Sequence, residues 1–243
     1  MVAVTLFSLL VLSSFGATWT GKIADTYDIA QLNMFAESAV YDDGYVYLSH
    51  MGGNTIHKID VDDLNDGKTT PTDKVKVSEA HDQSTSLFPV GCCEGKSDRI
   101  YCTLGTPFLA GPNNNNGIAY WDMDDLTFKK SILRSTTGLA NDCYVTDDHV
   151  YWSSAFSGEV LVSDHDLTYV NLISDATVLS PISFGGAMGH VHIEEDGEEF
   201  LIVANYDRAE IVKVPVKDGA LNGVPANVNI PTDSTRYFTN DSG

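Results

Sequence analysis

The amino-acid sequence predicts an all-β fold, a β-propeller of four-stranded antiparallel blades with about four blades present. Three observations carry that expectation. A strand rich in Tyr and β-branched residues recurs about every 50 residues, acidic or Gly-containing turns flank each copy at a matching phase, and no apolar pattern of helical period is sustained past residue 17.

Each unit is anchored by its second strand: YVYLS at Tyr45 to Ser49, RIYCT at Arg99 to Thr103, HVYWS at His149 to Ser153 and LIVAN at Leu201 to Asn205. With Tyr47, Tyr101, Tyr151 and Ile202 as equivalents, the successive spacings are 54, 50 and 51 residues. Ahead of each anchor, VYDDGYVY, GCCEGKSDRIY, VTDDHVYW and IEEDGEEFL put Asp, Gly or Ser where a tight hairpin needs them. Behind it, IDVDDL (Ile59 to Leu64), WDMDDL (Trp121 to Leu126), SDHDL (Ser163 to Leu167) and VPVKDG (Val214 to Gly219) mark the outer turns. One such unit cannot bury both faces, and radial repetition packs each sheet on the next. Tyr45, Tyr47, Tyr101, Tyr151, Trp121 and Trp152 fill the space between sheets in this reading. In the second unit, Pro107 to Gly117 lengthen one hairpin as a mobile loop. A fifth anchor falls past residue 243, so the expectation is a propeller arc short of closure. The alternative is a four-bladed ring closed by Thr18 to Leu32 pairing with the final sheet.

The 243 residues carry 14 basic and 34 acidic side chains, a formal net charge of -20. That balance repels nucleic acid and anionic membrane surfaces, and it admits cations and small neutral or cationic ligands. Residues 1 to 17 read as a signal peptide, with an uncharged apolar run and the small residues Ser14 and Gly16 ahead of a cut, although no Lys or Arg precedes the run. Residues 18 to 243 then form the propeller domain of a secreted protein. The four cysteines lack the paired spacing of a zinc site. The hairpin centred near Ser97 suggests Cys93 opposite Cys102, with a Cys93 to Cys102 bridge, competition from the vicinal pair Cys92 and Cys93, and free buried thiols all open.

FAESAVYDDGYVYLSH, GIAYWDMDDLTF, GLANDCYVTDDHVYWSSAFSGEVL and GGAMGHVHIEEDGEEFLIVANYDRAEIVKVPVKDG resemble the SMP-30/gluconolactonase-like superfamily over roughly residues 30 to 243. The resemblance implies a six-bladed propeller. It also implies a divalent cation in the central channel, held by a Glu, an Asn and an Asp at the starts of innermost strands, where it assists lactone or ester hydrolysis. Glu37 matches that Glu and Asn141 that Asn, each ten residues before its Tyr anchor. The same phase falls on Gly91 in the second unit and near Met188 to His192 in the fourth, where the expected acid is missing. Asp241, in TNDSG, lies two repeats beyond Asn141 and takes the place of third ligand and catalytic base. Hard oxygen donors of this kind suit Ca²⁺. His190 and His192, on one face of a strand, are additional candidates that would favour Zn²⁺ or Mn²⁺, or else they face a blade interface. Two functions remain open at this stage: a cation-dependent hydrolase of small lactones or esters, and a non-catalytic propeller that binds a small molecule or a protein.

Overall fold

A computed structural model describes residues 36–50, 54–65, 73–76, 87–105, 115–135, 139–155, 157–174, 187–205 and 208–228. Four antiparallel sheets follow one another in chain order. The first holds β1 (Ala36–Asp42), β2 (Tyr45–His50), β3 (Thr55–Asp60) and β4 (Asp73–Lys76), with a short helix α1 (Val61–Asn65) after β3. The second holds β5 (Phe88–Gly95), β6 (Arg99–Gly105), β7 (Asn115–Asp122) and β8 (Phe128–Ser135). In the third are β9 (Ala140–Val145), β10 (Val150–Ser154), β11 (Glu159–Ser163) and β12 (Asn171–Ser174). The fourth comprises β13 (Ala187–Glu195), β14 (Glu198–Asn205), β15 (Glu210–Lys217) and β16 (Ala220–Leu221), and β17 (Ala226–Asn227) also pairs with β15.

The first strands β1, β5, β9 and β13 pack in succession, which makes them the innermost strands of four propeller blades. Among the described residues, no strand of the first sheet packs on the fourth as neighbouring sheets pack on each other, so the described sheets form an arc; the segment Thr18 to Leu32, which would close a four-bladed ring, lies outside the described residues. Hairpin chemistry explains the local pairing. Asp43–Gly44, Asp196–Gly197 and Asp218–Gly219 all have positive φ, the paired left-handed geometry that a two-residue hairpin turn requires. The outer-turn aspartates cap their own backbones: Asp60 Oδ1 accepts from the Asp62 N–H, Asp122 Oδ1 from Asp124 and Asp125 Oδ1 from Thr127.

Strand alternation sends successive side chains into opposite seams. From the second sheet, Ile100 and Cys102 join Tyr47 and Ile56 of the first, whereas Tyr101 joins Val150 and Trp152 of the third. Tyr151, Val160 and Val162 of the third sheet meet Leu201, Val203, Val212 and Val214 of the fourth. The Tyr anchors are thus core residues, with Tyr47 2% and Tyr101 and Tyr151 0% exposed. Burial of each such ring stabilises its seam by roughly 2 kcal/mol.

Two expectations are corrected here. The turn Lys96–Asp98 has three residues, so Cys92, not Cys93, lies opposite Cys102 and bonds to it, with a Cα separation of 4.1 Å. Cys93 faces the next seam and bonds to Cys143 of β9, with Cα atoms 5.8 Å apart. Asn115, Asn116 and Gly117, expected in a loop, belong to β7, and Asn116 is 4% exposed. The rest of that insertion, like residues 1 to 17, lies outside the described residues.

Candidate functional site at the bulges of the inner strands

Every inner strand is interrupted at the same place by a β-bulge, where two residues oppose one on the second strand. Glu37–Ser38 oppose Ser49, Val90–Gly91 oppose Thr103, Asn141–Asp142 oppose Ser153, and Met188–Gly189 oppose Ala204. In the first three, the hydroxyl fills the gap by accepting the N–H of the second bulge residue. Ser38 donates to Ser49 Oγ at 2.9 Å, Gly91 to Thr103 Oγ1 at 2.9 Å and Asp142 to Ser153 Oγ at 3.2 Å. Ala204 has no hydroxyl to do this.

Glu37 and Asn141 therefore occupy equivalent positions at one end of the inner strands, two blades apart. The equivalent residue of the second unit is Val90 rather than Gly91, because its hairpin is one residue longer. Glu37 is exposed at its surface, yet enough protein surrounds it for burial to raise its carboxyl above the usual carboxylate range. Asn141 is half-buried and the buried carbonyl side of its peptide accepts from Thr103 Oγ1 at 3.1 Å. Asp241 lies outside the described residues.

The second bulge position ties each blade to the next. Ser38 Oγ accepts from the Cys92 N–H at 3.0 Å, and Asp142 Oδ2 accepts from the His190 N–H at 3.3 Å. At Gly91 the strands come too close for any side chain, since a Cβ would collide with the Asn141 carbonyl and lie 2.7 Å from Asp142 Cα. Asp142 is a carboxylate that the sequence reasoning missed. Desolvation holds its pKa up, with the His190 ring and the His190 and Cys143 N–H groups pulling the other way. The recurring Ser or Thr two residues after each Tyr anchor was the signal that could have located this row.

His190 and His192 both face the third sheet. His190 is 8% exposed, its ring nitrogens have no hydrogen-bond partner among the described residues, and burial lowers its pKa. His192 stacks on Tyr151 with ring centroids 6.1 Å apart, and its Nε2 lies 3.2 Å from Glu199 Oε2. Among the described residues, no three His, Cys, Asp or Glu side chains converge as ligands to one ion. At the opposite end of the inner strands, the hairpins of sheets two to four enclose a cleft of about 560 Å³.

The sequence matches no protein-family model, and no curated protein matches it. Solved structures do match in fold. A protein of unknown function from Bacteroides caccae is 9% identical with a TM-score of 0.52, and the match covers 80% of this chain and 60% of that one. Quinohemoprotein alcohol dehydrogenase from Comamonas testosteroni is 10% identical with a TM-score of 0.55, over 79% of this chain and 35% of that one. The chain thus spans less than two thirds of either structure. At such identities the likeness is one of fold, and together with the four stacked sheets it identifies the chain as built of β-propeller blades.

Proposed function

We propose that this chain is a secreted propeller protein of the SMP-30/gluconolactonase-like type that binds Ca²⁺ at the bulge end of its inner strands and hydrolyses small lactones or esters. The observation that carries the reading is the placement of Glu37 and Asn141 at the same bulge position of β1 and β9. Their donor set fits the ion, since a carboxylate and an amide oxygen are hard ligands and the remaining positions of Ca²⁺ accept water. Burial raises the Glu37 carboxyl above the usual carboxylate range. Glu37 and Asn141 would hold the ion, and Asp241 is the proposed third ligand and base. When bound, such an ion polarises a substrate carbonyl and lowers the pKa of a coordinated water. The protein's own part is to fix the two donors on bulges locked by Ser49 and Ser153 and to orient the substrate in the channel mouth.

Calorimetric titration of Ca²⁺ into the wild type, Glu37→Gln and Asn141→Ala tests this, alongside hydrolysis of a lactone panel followed by base uptake. One ion per chain, with affinity at least about tenfold weaker in both variants, is the expected result. No binding by the wild type removes the cation reading. Binding without hydrolysis leaves a non-catalytic binding propeller, a reading that the cleft at the opposite end favours.

A further inference from the structure

Two histidines of the first sheet, His50 at the end of β2 and His57 on β3, belong neither to the bulge row nor to the hairpin-end cleft. Tyr47 and Ile56 point into the seam with the second sheet, so strand alternation turns His50, Thr55 and His57 to the opposite face. In the β2–β3 register His50 stands directly opposite Thr55, and His57, two residues further along β3, is its diagonal neighbour on that face.

The three side chains meet at the Thr55 hydroxyl. His57 Nε2 lies 2.7 Å from Thr55 Oγ1 and His50 Nδ1 lies 3.4 Å from it. The rings approach edge-on, with centroids 5.4 Å apart and planes at 72°. A hydroxyl has one proton and satisfies only one imidazole lone pair, and 3.4 Å is long for a hydrogen bond to the other. These spacings match a ligand shell instead. In a tetrahedral site with bonds of about 2.0–2.1 Å, donor atoms stand roughly 3.3 Å apart and the centroids of two bound imidazoles roughly 5 Å apart. Thr55 and His57 are 7% and 8% exposed, which fixes two of the donors, while the half-buried His50 leaves an approach from solvent. Burial lowers the His50 pKa, so its imidazole is neutral at pH 7 and its lone pair is available.

We propose that His50 Nδ1, His57 Nε2 and the Thr55 hydroxyl bind a Zn²⁺ ion, with water in the fourth position. Imidazole nitrogen suits Zn²⁺, whereas the oxygen donors Glu37 and Asn141 suit Ca²⁺, so the inference is independent of the proposed Ca²⁺ site. The ion joins the end of β2 to the start of β3 and thereby stabilises the first sheet.

Calorimetric titration of ZnCl₂ into the full chain in excess CaCl₂ tests it, with melting curves confirming that each variant folds. The wild type should bind one ion, and its melting temperature should rise with Zn²⁺. His50→Gln, at the more exposed ligand, should bind at least about tenfold more weakly and lose that rise, and His57→Gln should do the same. Co²⁺ as a spectroscopic probe should give the intense visible bands of a four-coordinate site in the wild type and not in His50→Gln. A control that removes two surface imidazoles, His149→Gln combined with His165→Gln, should bind as the wild type does. Absence of one-to-one binding, unchanged affinity in His50→Gln, or an equal loss in the control each overturn the proposal. A matching loss in Glu37→Gln overturns it too, because the ion would then belong to the bulge end.

Discussion

Lys58 shows how this fold accommodates a cation out of water. Its side chain is 8% exposed, its ammonium donates to the Met123 and Asp124 carbonyls at 2.8 Å each, and it sits 4.3 Å above the Tyr45 ring. The contact joins the first sheet to the outer turn of the second. Lys58→Met keeps the stem but leaves the carbonyls short of a donor, and urea unfolding should show a loss of about 1–3 kcal/mol. Tyr47 donates to the same Met123 carbonyl, and burial followed by the charge of Asp42 pushes its pKa from 10.0 to about 12. The folded chain keeps that proton where the unfolded chain loses it. Its contribution is therefore complete below pH 10 and is lost as pH rises through about 12. Tyr151 shifts to the same value and acts with the same sign. Melting temperatures should fall steeply across that interval, and Tyr47→Phe, though less stable at neutral pH, should show a shallower alkaline slope. The tyrosines were legible in the sequence because they recur at the repeat period. Lys58 was not, because in TIHKID it reads as an outward-facing residue and its acceptors lie 65 and 66 residues away.

At the scale of the strand, the bulges decide which substitutions the inner strands tolerate. Gly91 and Gly189 hold equivalent second-bulge positions but face different neighbours. A Cβ on Gly91 would strike the backbone of β9, which cannot move without shifting its whole blade, whereas a Cβ on Gly189 would meet only Asp142 Oδ2 at 3.5 Å. Gly91→Ala should cost about 2 kcal/mol or more, while Gly189→Ala should change stability by less than about 0.5 kcal/mol. Chemical unfolding of the two variants side by side checks the contrast. Turn chemistry made the hairpins and outer turns legible, since Asp-Gly pairs dictate their own backbone geometry. Register was harder to read. The extra residue in the turn at Lys96–Asp98 moved both the cysteine pairing and the bulge partner by one, and a one-residue slip exchanges the two faces of a strand. The bulge itself left only a faint trace, a Ser or Thr two residues after each Tyr anchor, so Asp142 remained hidden beside the more conspicuous Asn141.

Across the whole arc, the three seams are fastened unequally. The first carries the Lys58 and Tyr47 bonds to Met123, and Ser38 Oγ both accepts from the Cys92 N–H and donates to its carbonyl. The second carries Tyr101 Oη and Arg99 bonded to the His165 carbonyl, together with the Cys93–Cys143 disulfide. With 50 residues between its cysteines, that bridge restricts the unfolded chain by about 4 kcal/mol on a loop-entropy basis. The third seam has an apolar core of similar kind, but Tyr151 Oη and both His190 ring nitrogens are buried in it without partners. Each such group carries a desolvation cost of about 1–3 kcal/mol; Trp121 Nε1 in the first seam carries one too, but the first and second seams have the hydrogen bonds to turn carbonyls that Tyr151 lacks. The fourth sheet should therefore separate from the third before the second parts from either neighbour. Hydrogen exchange followed by mass spectrometry should find amides of β13 and β14 exchanging through a lower-energy opening than those of β5, β6 and β9. Reducing agent should leave the fourth sheet's exchange nearly unchanged while accelerating that of β9 and β5, because the Cys93–Cys143 bridge fastens only the second seam. Equal protection in all four inner strands before reduction would show that the unpaired groups in the third seam carry no cost, and the ordering of the seams would fail with it.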